Sequence, residues 1–178
     1  MARSRGAVVH PARYPGLLSL SLLICLLLGS TANAALYASW DRYEADKLAA
    51  AWLIKRFVDP AAEFRFLPAG TPLPHEAIPF DVPGVPLGRS IRRTTFTAVY
   101  RHYRLADPTL ERIGLFINDL ELNVWEDKEY PESQAIADMV ASVVGKRDPA
   151  TILTISFDFF DKLYNDLSRV RQSAPAMR

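Results

Sequence analysis

The segment LYASWDRYEADKLAAAWLIKRFVDPAAEFRFL, residues 36–67, decides the fold. Its ends read as strands and its middle as a helix. Leu36, Ala38 and Trp40 alternate with Tyr37 and Ser39, the period of two of a short strand. From Asp41 to about Val58 the apolar spacing becomes helical, with Ala45, Leu48, Ala49, Trp52 and Phe57 on an inner face. Asp59-Pro60 stops that helix. Phe64 and Phe66 then alternate with Glu63 and Arg65 in a second strand near residues 62–67. Strand, helix and strand within about 30 residues predict a βαβ unit with a right-handed crossover.

Downstream, Pro68, Pro72, Pro74, Pro79, Pro83 and Pro86 make residues 68–88 a loop, with an extended piece expected at Ile78–Val82. The rest reads as helix. Thr94 or Thr95 can cap a helix whose Phe96, Val99, Tyr100 and Tyr103 share a face. Asp107-Pro108 and Asp148-Pro149 are two further start signals, each a capping carboxylate followed by proline in the first turn. Between them, Ile136, Met139, Val140, Val143 and Val144 mark a helix that Gly145 can end. The predicted fold class is α+β, a helix-rich single domain with a small sheet built from the N-terminal βαβ unit.

Upstream, residues 1–34 have the layout of a secretory leader. Arg3, Arg5 and Arg13 make a basic start, an apolar run spans Leu17 to Gly29, and Ala32-Asn33-Ala34 offers an A-x-A exit before Ala35. The alternative is a retained anchor, but the run falls short of the roughly 20 residues that cross a bilayer as a helix. Cys25 does not suit a lipoprotein acceptor, since Ile24 precedes it and leucines follow. The mature domain is therefore expected at residues 35–178, periplasmic and without stable membrane insertion. Removing the leader leaves 18 Lys and Arg against 20 Asp and Glu, a formal charge of −2, and no cysteine. Such a chain lacks the positive surface that nucleic acid requires and uses neither disulfides nor thiolate chemistry.

Motifs that carry chemistry are few. No glycine-rich phosphate loop, nucleophile elbow or histidine-rich metal spacing occurs, and His75 and His102 read as solvated. Two constellations remain. Arg89, Arg92 and Arg93 precede the helix start at Thr94–Thr95, where free amides and guanidinium groups can hold an oxyanion; the alternative is a charged loop in water. Asn118, Asp119 and Glu121 are oxygen ligands suited to a hard divalent cation; the alternative is a polar helix face.

The run Asp46-Lys47-Leu48-Ala49-Ala50-Ala51-Trp52-Leu53-Ile54-Lys55-Arg56-Phe57-Val58-Asp59-Pro60 resembles the D-[RK]-[IL]-A-C-P-W-L-I-R-R-F-I-D-P signature of the chromate-resistance family, the C-terminal part of ChrB-type proteins and the whole of the chromate resistance exported proteins. Phe80-Asp81-Val82-Pro83-Gly84-Val85 is similar to its F-D-[IV]-P-G-[VA] segment. Ile117 to Glu121 sits where the family often has V-H-D-x-D, followed by Pro131-Glu132, and Phe160-Asp161-Lys162-Leu163-Tyr164 resembles the closing F/Y-D-x-L-Y. The resemblance implies a cleft lined by Asp46, Lys47, Arg56 and Asp81. The departures are Ala50 and Thr94 in place of cysteines, and Arg89 and Asn118 in place of histidines. Thiol-based chromate binding or reduction therefore does not carry over, and the polar residues left suit an oxyanion or a hard cation.

The expectation is an exported accessory protein of this family that binds an oxyanion or a hard metal ion, with no catalytic residue assigned. A carboxylate-dependent hydrolase or oxidoreductase using Asp46, Asp81, Asp119 or Glu121 is the alternative, and a partner-binding structural module a third reading. Arg89, Arg92 or Arg93, the helix start at Thr94–Thr95, Asp46, Asn118 and Glu121 are expected to meet in one cleft.

Overall fold

The computed structural model describes residues 34–123, 126–145 and 147–173. Leader residues 1–33 lie outside them, so the leader reading belongs to the sequence alone. No helix of the described residues is long and apolar enough to cross a membrane.

Strand β1 (Leu36–Trp40) is central, in the order β2-β1-β3, and pairs in parallel with β2 (Glu63–Leu67) and with the two-residue β3 (Ile78–Pro79). The parallel pairing of β1 with β2 is the one a βαβ unit requires. Tyr37 pairs with both Phe64 and Ile78. Its ring packs on Phe64 and Phe80, giving this end of the core an aromatic floor.

Helix α1 (Ala45–Leu53) starts four residues later than its periodicity suggests. The reason is local: the Asp41 amide still donates to the Leu67 carbonyl at 2.8 Å, continuing the strand, and Glu44 remains extended. Every residue of α1 is buried, not one stripe. From Leu48 to Leu53 the helix is apolar on all sides and belongs inside, and the short side chains of Ala49, Ala50 and Ala51 let neighbours approach it from several directions. Helices α2 (Thr95–His102), α3 (Pro108–Glu121), α4 (Pro131–Val143) and α5 (Pro149–Ser173) all pack against it. Its last turn widens into a π-turn over Ile54–Val58, closed by the Asp59 amide on the Ile54 carbonyl at 2.8 Å.

The start signals act as predicted. Thr94 caps α2, its hydroxyl accepting from the Thr97 amide. Asp107 caps α3 by accepting from the Thr109 and Leu110 amides at 2.7 and 3.3 Å, with Pro108 in the first turn. Asp148 accepts from the Thr151 amide at the start of α5. Gly145, at φ +74°, follows the end of α4. Trp52 anchors α5 through ring contacts with Phe160 and Tyr164.

Candidate functional site

The N-terminal end of α1 meets the N-terminal end of α2. Asp46, in the first turn of α1 and 1% exposed, places its carboxylate on the start of α2: Oδ2 accepts from the Thr95 amide at 2.6 Å and Oδ1 from the Phe96 amide at 2.8 Å. The α2 N-terminus does have the anion-holding geometry read from the sequence, but the anion there is the chain's own side chain. Burial and the nearby Asp81 and Glu121 carboxylates push the Asp46 pKa up to about 7, against the pull of the two amides. With both oxygens engaged and almost no surface, Asp46 is a positioning group and not a group that a substrate can reach.

Lys47, the next residue, turns the other way. It is 2% exposed, donates to the Trp40 carbonyl and lies 3.4 Å from Asp81 Oδ2. Burial lowers its pKa, and the Asp81 carboxylate opposes that shift. Asp81 sits just after β3 with φ +49°, a left-handed conformation uncommon outside glycine, asparagine and aspartate. Its Oδ1 accepts from the Thr95 hydroxyl at 2.6 Å, so the first residue of α2 ties Asp46 and Asp81 together. Burial raises the Asp81 pKa while Thr95 and Lys47 hold it back.

Glu121, at the last turn of α3, closes the cluster. Its Oε1 accepts from the Asp46 amide at 3.4 Å, and its Oε2 is 3.2 Å from Arg89 Nη1. Burial raises its pKa and Arg89 opposes the rise. Arg89 also lies 3.3 Å from Glu44 Oε2, and the other oxygen of Glu44 is 2.7 Å from Arg42 Nε. Arg42, Glu44, Lys47, Asp81 and Arg89 line one open cleft of about 380 Å³.

Contacts link Arg89, Thr94–Thr95, Asp46, Asn118 and Glu121, but they do not line one cleft: Arg89 faces the open cleft, Asp46, Thr94 and Thr95 are buried, and Glu121 and Asn118 border other pockets. The Thr94 hydroxyl donates to Asn118 Oδ1 at 2.9 Å, joining the α2 start to α3. Other expected members lie elsewhere. Arg92 is exposed at the tip of a turn, and Arg93 donates to the Gly88 carbonyl at 3.2 Å. Arg56 lies at the far end of the α1 segment, where its guanidinium grips Asp161 at 2.7–3.1 Å and Trp52 Nε1 donates to the same carboxylate at 2.8 Å. Two of the familiar motifs are therefore joined to each other for packing, away from the cleft.

Asn118, Asp119 and Glu121 have three different sets of partners. Asp119 accepts from Asn123 Nδ2 and from the Glu129 and Tyr130 amides, fastening the approach to α4. Burial pushes its carboxyl up, but hydrogen bonds from Ser133, Asn123 and those amides outweigh it and hold the pKa low. Among the described residues, no three His, Cys, Asp or Glu side chains gather as a metal site. His75 and His102 are both exposed. Sequence reading missed Arg42 and Glu44, which follow the first strand without any motif around them; their only signal is alternating charge in Asp41-Arg42-Tyr43-Glu44.

Comparison with known proteins agrees with the motifs. The family model described as ChrB, C-terminal domain, matches residues 37–167. Protein ChrB of Cupriavidus metallidurans is 35% identical over 78 residues, 43% of this chain and 24% of that protein. The match therefore spans about a quarter of the relative's length. No solved structure matches the chain. With its signature segments supplying the central helix, the buried Asp46–Lys47–Asp81 cluster and the Arg56–Asp161 clamp, the chain belongs to the ChrB C-terminal domain family.

Proposed function

We propose that this chromate-resistance-related protein is an exported, periplasmic accessory protein that binds a tetrahedral oxyanion at the mouth of the cleft, between Arg42 and Arg89. The observation that carries the reading is the place of the Glu44 carboxylate, 2.7 Å from Arg42 and 3.3 Å from Arg89. Two guanidinium groups already hold an oxygen pair between them. A dianion such as chromate or sulfate offers the same paired oxygens with more charge, which suits arginine forks. Exposed ion pairs are worth little, so Glu44 is readily exchanged for a more highly charged ligand. Lys47 supplies a third, buried cation to the same cleft.

Charge balance gives no pull on a hard cation here. The carboxylates of Glu44, Asp81 and Glu121 are already matched by Arg42, Lys47 and Arg89, leaving no surplus of negative charge to attract a metal ion. The basic start, apolar run and Ala32-Asn33-Ala34 exit support export.

Calorimetric titration with chromate, sulfate and phosphate tests the reading. Loss of the Arg89 charge-assisted contacts, at roughly 1.5–3 kcal/mol each, should weaken binding about tenfold or more in Arg89→Ala. Equal affinity in the variant, or no binding by the wild type at millimolar ligand, overturns it.

A further inference from the structure

Arg92 and its neighbours, which the cleft does not use, form a rigid projecting turn. The Ser90 amide donates to the Arg93 carbonyl at 2.8 Å and the Arg93 amide to the Ser90 carbonyl at 3.3 Å, leaving Ile91 and Arg92 at the tip. Ile91 is 96% exposed. The base of the turn is fixed by Arg93 on the Gly88 carbonyl, and Gly88 has no room for a side chain: a Cβ there would lie 2.5 Å from the Val82 carbonyl oxygen. A β-branched apolar side chain held on a stiff turn loses little freedom on docking.

A matching receptor lies on the same molecule. Leu115 and Leu122, 46% and 36% exposed, line a pocket of about 510 Å³ with Tyr130, and the exposed Glu126 and Glu129 lie at it. The Lys128 amine is turned onto the Asp119 and Asn123 carbonyls, and its single charge beside Asp119, Glu126 and Glu129 leaves the rim acidic on balance. Ile91, Leu115 and Leu122 are three of the four large apolar side chains exposed among the described residues. Turn and pocket are also neighbours: Arg89 donates to the Glu121 carbonyl and Thr94 to Asn118, which lines the pocket.

We propose that a second copy of this chain docks on this face, Ile91 and Arg92 of each copy entering the Leu115–Leu122–Tyr130 pocket of the other. An apolar tip with a cation meets an apolar pocket with an acidic rim, so shape and charge are complementary. Because the base of the turn adjoins the edge of the pocket, a two-fold axis can satisfy both contacts at once, as a closed dimer requires. This surface is separate from the Glu44 cleft and stands whether or not that cleft binds an anion.

Sedimentation of the purified full-chain product over a range of concentrations should show a reversible monomer–dimer equilibrium. Ile91→Asp should weaken it about tenfold or more, as loss of a central anchor does, with an unchanged circular dichroism spectrum. Arg92→Glu and Glu129→Arg should each weaken it alone, and an equimolar mixture of the two should restore dimers, since one pairing is then intact and the other reversed. In a Cys25→Ser background, Ile91→Cys mixed with Leu122→Cys should give a mixed disulfide on mild oxidation. A monomer at every concentration, a dimer indifferent to Ile91→Asp and both charge reversals, or open-ended chains in place of dimers would overturn the proposal.

Discussion

Asp46→Ala separates the two opposed effects that act on the buried carboxylate. The substitution leaves the Thr95 and Phe96 amides without acceptors at the start of α2. Orphaned buried donors cost roughly 1–3 kcal/mol each, so a loss of about 2–6 kcal/mol is expected where the wild-type carboxyl carries no burial cost. The magnitude then depends on pH. In the folded chain the Asp46 pKa is about 7, above its usual value of 3.8. Between those values the native state keeps a proton that the unfolded state releases, so this group's contribution to stability is full below pH 4 and is lost as pH rises through 7. At about 1.4 kcal/mol per pH unit, the wild type forfeits about 2–3 kcal/mol from this group between pH 5 and pH 8, and Asp46→Ala forfeits none. Urea unfolding of both proteins at the two pH values should therefore show the larger destabilisation at pH 5. A destabilisation that grows toward pH 8 would mean that the amides outweigh burial and hold the carboxylate ionised, and the reasoning would be refuted.

Asp107→Ala removes the cap of α3 and the acceptor for Tyr164, whose hydroxyl is 2.6 Å away; a loss of about 1–2 kcal/mol is expected in urea unfolding, and no loss would show that the cap is not what starts α3. Gly88→Ala forces a Cβ against the Val82 and Val85 carbonyl oxygens, so the loop carrying Arg89 must shift; oxyanion affinity should drop along with stability, whereas unaltered binding would separate Arg89 from the site. Expressed in a Gram-negative host, the chain should yield a periplasmic product whose intact mass begins near Ala35, and an uncleaved Met1 product in the membrane fraction would contradict export. That product should not reduce chromate on its own, because no thiolate remains to donate electrons; chromate consumption by cofactor-free and metal-free protein would revive the oxidoreductase reading.

How much of this was legible in the sequence depends on how local the cause is. The strands, the caps at Thr94, Asp107 and Asp148, and the stop at Gly145 are set by neighbours within a few residues, and the chain declares them. The delayed start of α1 is not local: Asp41 is held extended by Leu67, 26 positions away. The complete burial of α1 was equally hidden, since periodicity shows one apolar face and not how many elements surround a helix. Asp46, Arg89 and Glu121 were placed together by their motifs, but motifs do not say that Asp46 itself fills the helix start. Arg56 and Asp161 lie 105 residues apart, and only the packing of α5 on Trp52 makes them a pair. Arg42 and Glu44 sit in an unremarkable charged stretch, and three-dimensional closeness to Arg89 alone gives them meaning.

The proposed oxyanion site is the place the Glu44 carboxylate holds, between Arg42 and Arg89. Calorimetric titration of Glu44→Gln beside the wild type, with sulfate and chromate as ligands, measures this directly. Removing the internal competitor frees Arg42 and releases one contact of Arg89, which keeps Glu121, so the variant should bind both dianions more tightly, about fivefold where the exposed pairs given up are worth up to about 1 kcal/mol. Equal affinity in the two proteins, or weaker binding by Glu44→Gln, would contradict the claim that the carboxylate and the oxyanion compete for one place.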